Sequence, residues 1–366
     1  MTRRRVADSA GARQNDADKV RLEFRIEIVG AQGNRVIYPK PNFLRLLTME
    51  TSHYREPALA LAAQVGLKNV TVTGEVPSFY GHVVFISSEQ GEYVVKFSRQ
   101  AGRLASEVQA LNRLRPHSVL PMPEILFHGL VASEQGDLDT LLMPRLSGVP
   151  AWELPDPLPN PAQTAQQIVE QMLAWHAVSD ARGFEHADGS FTNEFLPAFE
   201  SWVRPLHEFI KSSNSPFSPE LRAAYAQLWD ERERFLAPIS GPSSLCHDDP
   251  HACNFLYDVD TGFPTSAIDP CDVAFRHREQ DIFHLADAYP QWRLLETYIE
   301  QCPLAEGYAA RRWFFSLWDD VKHSVNVGWY DAPWFAAKFT RLAETDASFV
   351  ELAAAANQAH PAKAEA

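Results

Sequence analysis

The feature that most constrains this chain is the polar octapeptide His247-Asp248-Asp249-Pro250-His251-Ala252-Cys253-Asn254, followed a short hairpin later by Ile268-Asp269-Pro270. It reads H-x-D-x-x-x-x-N, then an apolar strand that ends in a carboxylate. The pattern around it is helical, so the segment 243–270 has to interrupt a helical region with two short strands.

Period and punctuation organise the rest. Residues 1–20 are polar and aperiodic and are expected to be a disordered tail. Leu22, Phe24, Ile26 and Ile28 alternate with charged residues, which predicts a strand, a Gly30–Asn34 turn and a second strand at Arg35–Tyr38. Residues 43–66 read as helix with a break at Pro57, so 21–66 is expected to be an N-terminal extension of hairpin plus helices. A β-rich lobe is predicted over 67–146, with strands at Val70–Val76, Val83–Ser87, Glu92–Ser98, Glu124–Leu130 and Leu138–Met143. A helix is expected at Arg103–Leu114, with Leu104, Val108 and Leu111 on one face. Pro144 and Ser147-Gly148 read as a hinge. A mainly helical lobe follows over 147–350. Asn160-Pro161 is expected to cap its first helix, and further helices are predicted at 193–210, 218–236 and Tyr308–Val325, the last with Phe314, Leu317, Trp318, Val321 and Val325 on one stripe. The Ala-rich end, 351–366, is expected to fray.

The bulk numbers exclude several classes. A chain of 366 residues that is 45% hydrophobic buries ample core, and its net charge of −14 without a basic stripe argues against nucleic-acid binding. No apolar run is long enough to span a membrane, and no apolar stretch backs Arg3-Arg4-Arg5 as in a secretory signal. The four cysteines lack C-x-x-C pairing, so reduced thiols and a cytoplasmic location are expected. Their spacing with His247 and His251 matches no paired-ligand zinc pattern.

The spacing around Asp249 suits phosphoryl transfer from a magnesium nucleotide. Asp249 is placed to take the proton of an acceptor hydroxyl, while Asn254 and Asp269 supply the oxygen donors that Mg2+ prefers. Lys96, in the apolar strand Tyr93-Val94-Val95-Lys96-Phe97, needs a counter-charge or a phosphate, and Glu107 on the next helix is its expected ion-pair partner. The loop Gly74–Gly81 stands where phosphates are covered, with Ser78 as its polar member, although it is not G-x-G-x-x-G. Met143, next to the hinge, is expected to pack on the nucleotide base. His247 is expected to orient backbone.

These residues resemble the aminoglycoside phosphotransferase and fructosamine kinase branch of the protein-kinase-like superfamily. That branch shows H-G-D-x-x-x-x-N followed by I-D, and here Asp248 stands in place of the glycine. Ile268-Asp269-Pro270 with His277-Arg278-Glu279-x-Asp281-Ile282 is similar to the D-P…G-x-R-E-x-D-L run of fructosamine kinases. Leu173-Ala174-Trp175-His176 and Gly183-Phe184 are similar to a helix of antibiotic phosphotransferases. The resemblance covers about residues 70–345. It implies an α+β bilobal protein-kinase-like fold with an antiparallel β N-lobe and a mainly helical C-lobe, and it makes Asp281 a carboxylate that braces the catalytic loop. It implies an ATP- (or GTP-) and Mg2+-dependent kinase of a small hydroxyl-bearing molecule, an aminoglycoside-type antibiotic or an amino or keto sugar. Asp319 and Asp320 are candidate ligands for an amino sugar, although a solvated helix face is the expected reading of both. The alternative, favoured by Asp248 and the atypical loop, is a catalytically weak pseudokinase that binds nucleotide. A homodimer through the N-terminal extension is one of the roles open to residues 1–66.

Overall fold

The computed structural model describes residues 25–29, 35–39, 53–78 and 80–360. Strands β1 (Arg25–Val29) and β2 (Arg35–Pro39) form an antiparallel hairpin with Ile26 opposite Tyr38, in a unit that ends at Pro41. The tail expected over 1–20 and the helical pattern at 43–52 lie outside the described residues.

Helix α1 (Arg55–Gln64) opens the described part of the second unit. Pro57 does not break it. Pro57 sits in the first turn, where no intrahelical partner exists for the N–H that proline lacks. Five strands follow: β3 (Thr71–Pro77), β4 (His82–Ser88), β5 (Gly91–Ser98), and then, after helix α2 (Arg103–Leu114), β6 (Phe127–Val131) and β7 (Leu138–Pro144). They form one antiparallel sheet in the order β3-β4-β5-β7-β6.

Strand alternation distributes this sheet between two helices. Tyr93, Val95 and Phe97 of β5 and Leu138 and Leu142 of β7 pack with Tyr54, Ala58, Leu61 and Ala62 at α1. Leu141 and Met143 face the other way, into a core shared with Leu104, Leu111 and Leu114 of α2. Helix α1 is therefore part of the β lobe's core, which moves the expected boundary at residue 66 towards the N-terminus. Gly81 is required by close approach, since a Cβ there would lie 1.8 Å from the Phe97 carbonyl oxygen. Gly148, in the hinge, has φ +117°, and a Cβ would meet Thr265 Oγ1 at 2.4 Å.

After β8 (Val149–Pro150) the chain is mainly helical: α3 (Pro161–His176), α4 (Phe195–Lys211), α5 (Pro219–Asp230) and α6 (Arg232–Leu236), with a small hairpin of β9 (Phe184–Glu185) and β10 (Phe191–Thr192) before α4. The helix expected over 218–236 is two helices divided at Glu231. Asn160 does precede α3, but its amide donates to the Thr261 carbonyl at 3.0 Å instead of capping. Four short strands then carry the loop of interest: β11 (Ser244–Cys246), β12 (Phe255–Tyr257), β13 (Pro264–Ala267) and β14 (Ala274–Arg276).

The chain closes with α7 (Glu279–Ile282), α8 (Leu294–Gln301), α9 (Tyr308–Val327), α10 (Ala332–Thr345) and α11 (Val350–Ala359). Helix α11 lies where fraying was expected. Ala353 and Ala356 are buried on it, because a small-residue face packs into the aromatic core of α4, α5, α9 and α10. Val325 is exposed, not on the buried stripe of α9, which runs on through Ser324. Among the described residues, no helix is long and apolar enough to cross a membrane.

Candidate active site

Hairpin register assembles one half of the site. In the β12–β13 ladder Phe255 faces Ala267, and the Ile268 amide donates to the Asn254 carbonyl at 2.9 Å. Antiparallel pairing thus sets Asn254 beside Ile268-Asp269 although fifteen positions separate Asn254 from Asp269. The Asn254 side-chain amide donates to the Asp249 carbonyl at 2.7 Å, so its oxygen is the atom left for a ligand. Asp269 has φ +61°, a left-handed conformation that Asp tolerates better than most residues, and its carboxylate is 55% exposed.

The other half comes from the β lobe. Lys96 sits on the α2 side of β5, and its Nζ lies 2.6 Å from Glu107 Oε1 and 2.5 Å from Asp269 Oδ1. One ammonium therefore joins the sheet, α2 and the end of β13. Desolvation works against charge on all three groups. The two carboxylates nevertheless raise Lys96 above its ordinary value, while Lys96 holds Asp269 below the usual carboxylate range. Glu107 ends above its ordinary value because its desolvation outweighs the attraction of Lys96. The position of α2 is fixed by a residue that sequence reading did not single out. Gly102 caps the helix without a side chain, and buried Asp139 on β7 accepts from the Leu104 N–H at 2.8 Å in its place.

Asp281 organises the loop itself. It is fully buried and accepts from the His247 and Asp248 amides at 2.9 and 2.7 Å and from His176 Nε2 at 2.9 Å. His247 is also fully buried, stacks at a tilt against Trp175, and accepts a long bond of 3.4 Å from the Asp249 amide through Nδ1. Burial lowers its pKa, so the ring is neutral. Arg311 and Glu279 add a buried pair at 2.6 and 3.0 Å that ties α9 to α7.

Asp249 is 24% exposed, with His251 Nε2 and His284 Nδ1 each 3.5 Å from its Oδ1. His284, which the motif did not flag, also lies 3.1 Å from Asp287 Oδ2. Desolvation opposes its charge, but the surrounding carboxylates, Asp287 first, push its pKa up to about 9.

Asp248 has φ +77°, which accounts physically for glycine as the usual residue there. Its carboxylate is buried against the Arg276 guanidinium and Lys322 Nζ, the latter at 2.9 Å, and accepts from the Asp272 amide at 3.2 Å. Despite desolvation, Lys322 and Arg276 hold it down at about 2. Neither Asp319 nor Asp320 presents a free carboxylate. Asp319 lies 2.6 Å from Lys322 and 3.3 Å from His323, and Asp320 is buried 2.6 Å from Lys338 and 3.0 Å from Trp334 Nε1. Ser78 lies at the β3–β4 turn, where its amide donates to the Gly81 carbonyl at 3.0 Å, so that N–H is spent inside the turn. Met143 is buried at the end of β7, beside the hinge.

Residues 76–314 match the model of the phosphotransferase enzyme family APH. The chain belongs to that family. The chain is also 31% identical over 196 residues to the uncharacterised protein YcbJ of Escherichia coli (strain K12), covering 52% of this chain and 64% of that protein. Two solved structures share its fold. The GDP complex of aminoglycoside 2'-phosphotransferase-IIIa has a TM-score of 0.55 at 17% identity, covering 82% of this chain and 99% of its own. A candidate fructosamine-3-kinase from Haemophilus somnus 129PT has a TM-score of 0.58 at 16% identity, covering 81% and 97%. The fold is therefore the bilobal, kinase-like one, and the family to which the chain belongs is one of phosphotransferases.

Proposed function

We propose that this phosphotransferase moves the γ-phosphoryl group of ATP or GTP to a hydroxyl of a small molecule. The observation that carries the proposal is the Lys96 ammonium, held between Glu107 and Asp269 where the two lobes meet. Lys96 binds the α- and β-phosphates, with Glu107 keeping it in place. Asp249 orients the acceptor hydroxyl and takes its proton as the oxygen bonds to the γ-phosphorus and the bond to the nucleoside diphosphate breaks. Ser78 and its turn lie over the phosphates, and Met143 packs on the base.

The donors fit magnesium. Asp269 is half-exposed and ionised, and the oxygen of Asn254 is the atom left over once its amide nitrogen is bonded. Both are hard oxygen ligands, and they would hold the ion. When bound, it neutralises charge on the phosphates. The structures that share the fold are named for an aminoglycoside and for fructosamine, and the acceptor proposed here, an aminoglycoside-type antibiotic or an amino or keto sugar, is an alcohol in each case.

The rival reading, a nucleotide-binding protein of weak turnover, drew on Asp248 and on the loop Gly74–Gly81. With its carboxylate engaged by Arg276 and Lys322, Asp248 no longer favours that reading. The test is a phosphorylation screen over aminoglycosides, other antibiotics, glycated amines and sugars, read by the mass gain of one phosphate. Asp249→Ala should keep nucleotide binding and lose about a thousandfold in turnover. Wild-type turnover in that variant would remove Asp249 from its role, and nucleotide hydrolysis independent of Asp269 would remove the metal assignment.

A further inference from the structure

Next to Asp249 lies a group of charges that cancel, joined to it through His284, which is 3.5 Å from Asp249 and also feels the charge of Asp319. Lys322 on α9 lies 2.9 Å from Asp248 Oδ2 and 2.6 Å from Asp319 Oδ1, and is 20% exposed. Arg276 takes the other oxygen of Asp248, and His323 lies 3.3 Å from the other oxygen of Asp319.

Asp248 holds this arrangement against its own backbone preference. A left-handed φ is strained at a residue other than glycine, and the buried carboxylate is tolerable only because two cations face it. Glycine would satisfy the loop without strain, yet Lys322 would then lose one of its two anchors.

We infer that Lys322, fixed by Asp248, is a specificity-determining residue that keeps polycationic sugars out of the acceptor site, and that the acceptor is an uncharged hydroxyl compound. The inference rests on the assignment of Asp249 to the acceptor and narrows it. A sugar carrying several ammonium groups needs carboxylates without a partner, because each ammonium loses hydration on binding. At this site it meets Asp319 and Asp248 already occupied, and to reach them it has to displace an intramolecular ammonium, which the chain holds at high effective concentration.

The test titrates the full-length protein with kanamycin, in low and high salt, and separately with ATP and magnesium. The wild type should show no saturable kanamycin binding up to about 1 mM. Lys322→Gln, which leaves Asp319 with His323 alone and Asp248 with Arg276 as its one side-chain cation, should gain roughly tenfold or more in kanamycin affinity, and the gain should vanish in high salt. Lys322→Arg, which keeps the charge, should behave as wild type and serves as the folded control. Micromolar kanamycin binding by the wild type overturns the inference, as does a well-folded Lys322→Gln protein with unchanged affinity. Loss of ATP binding in the wild type would instead strike the phosphotransfer reading, so the two failures are told apart.

Discussion

Asp281→Asn is the sharpest test of how the loop that carries Asp249 is held. The carboxylate uses both oxygens: Oδ1 accepts from the Asp248 amide, and Oδ2 from the His247 amide and His176 Nε2. Asparagine has the same shape but one acceptor and one NH2 donor. In its better orientation it keeps the two bonds at Oδ2 and turns its NH2 against the Asp248 N–H. That loses a charge-assisted bond of about 1.5–3 kcal/mol and leaves a buried donor facing another. The expected destabilisation is about 2–4 kcal/mol. Because the stranded amide is the neighbour of Asp249, a displacement of about 1 Å should also lower turnover roughly 100-fold. The pH dependence has a definite sign. Burial raises the pKa of Asp281, but the bond from His176 and the charges around it hold it below the ordinary carboxylate value. A depressed folded pKa contributes stability that is present above about pH 4 and is lost as pH falls through the lower folded value. The wild type should therefore lose this stability in acid, and the variant should lack the slope. Urea unfolding followed by tryptophan fluorescence from pH 7 to pH 3 reads the first effect, and steady-state phosphate transfer reads the second. A variant that stays within about 0.5 kcal/mol of wild type and within about threefold in turnover would refute the bracing role of Asp281.

Three further substitutions test neighbouring parts of the argument. Glu107→Gln should weaken nucleotide binding by roughly ten- to a hundredfold, since Lys96 is left with Asp269 as its counter-ion, and a titration with ATP and magnesium measures it. Asp139→Ala removes the acceptor of the Leu104 N–H and should cost about 1–2 kcal/mol, with faster amide exchange in the first turn of α2. His284 has a folded pKa of about 9, raised from an unfolded value near 6.5, so its contribution is full below pH 6.5 and is lost as pH climbs through 9. His284→Gln should abolish that alkaline loss, worth roughly 3 kcal/mol, in unfolding measured between pH 6 and pH 10.

Much of this protein was legible where local chemistry and fold agree. The helix Arg103–Leu114 carries its apolar face at helical spacing, and it lies where the pattern puts it. Lys96 was conspicuous because a charge in an apolar strand demands a partner, and Glu107 lies close enough along the chain to be that partner. Legibility ended where a partner is set by tertiary register. Asp139 supplies a cap to a helix 35 positions before it, a relation that no local pattern carries. His176 and His284 reach Asp281 and Asp249 through helix packing. Pro57 and the alanines of α11 misled for a simpler reason: first-turn geometry and burial against an aromatic core override weak local preference.

Asp248 shows how a departure from a motif can be read once its backbone is known. In sequence it is only an extra carboxylate beside Asp249, with three open outcomes: repulsion of phosphate, a metal contact, or a turn away. With a left-handed φ the side chain meets Arg276, which β11–β14 pairing, with Ser244 opposite Arg276, brings to it as the first cation. Helix α9 supplies the second, because Lys322 lies one turn beyond Trp318, at the edge of the aromatic stripe, and three residues beyond Asp319. A single glycine-to-aspartate departure and a lysine 74 positions later thus form one unit. Their coupling is itself measurable. Asp248→Gly relieves backbone strain but strands Arg276 and loosens Lys322, so it should destabilise the wild type by more than it destabilises a Lys322→Met protein. Equal costs in the two backgrounds would mean that the ion pair has no energetic content.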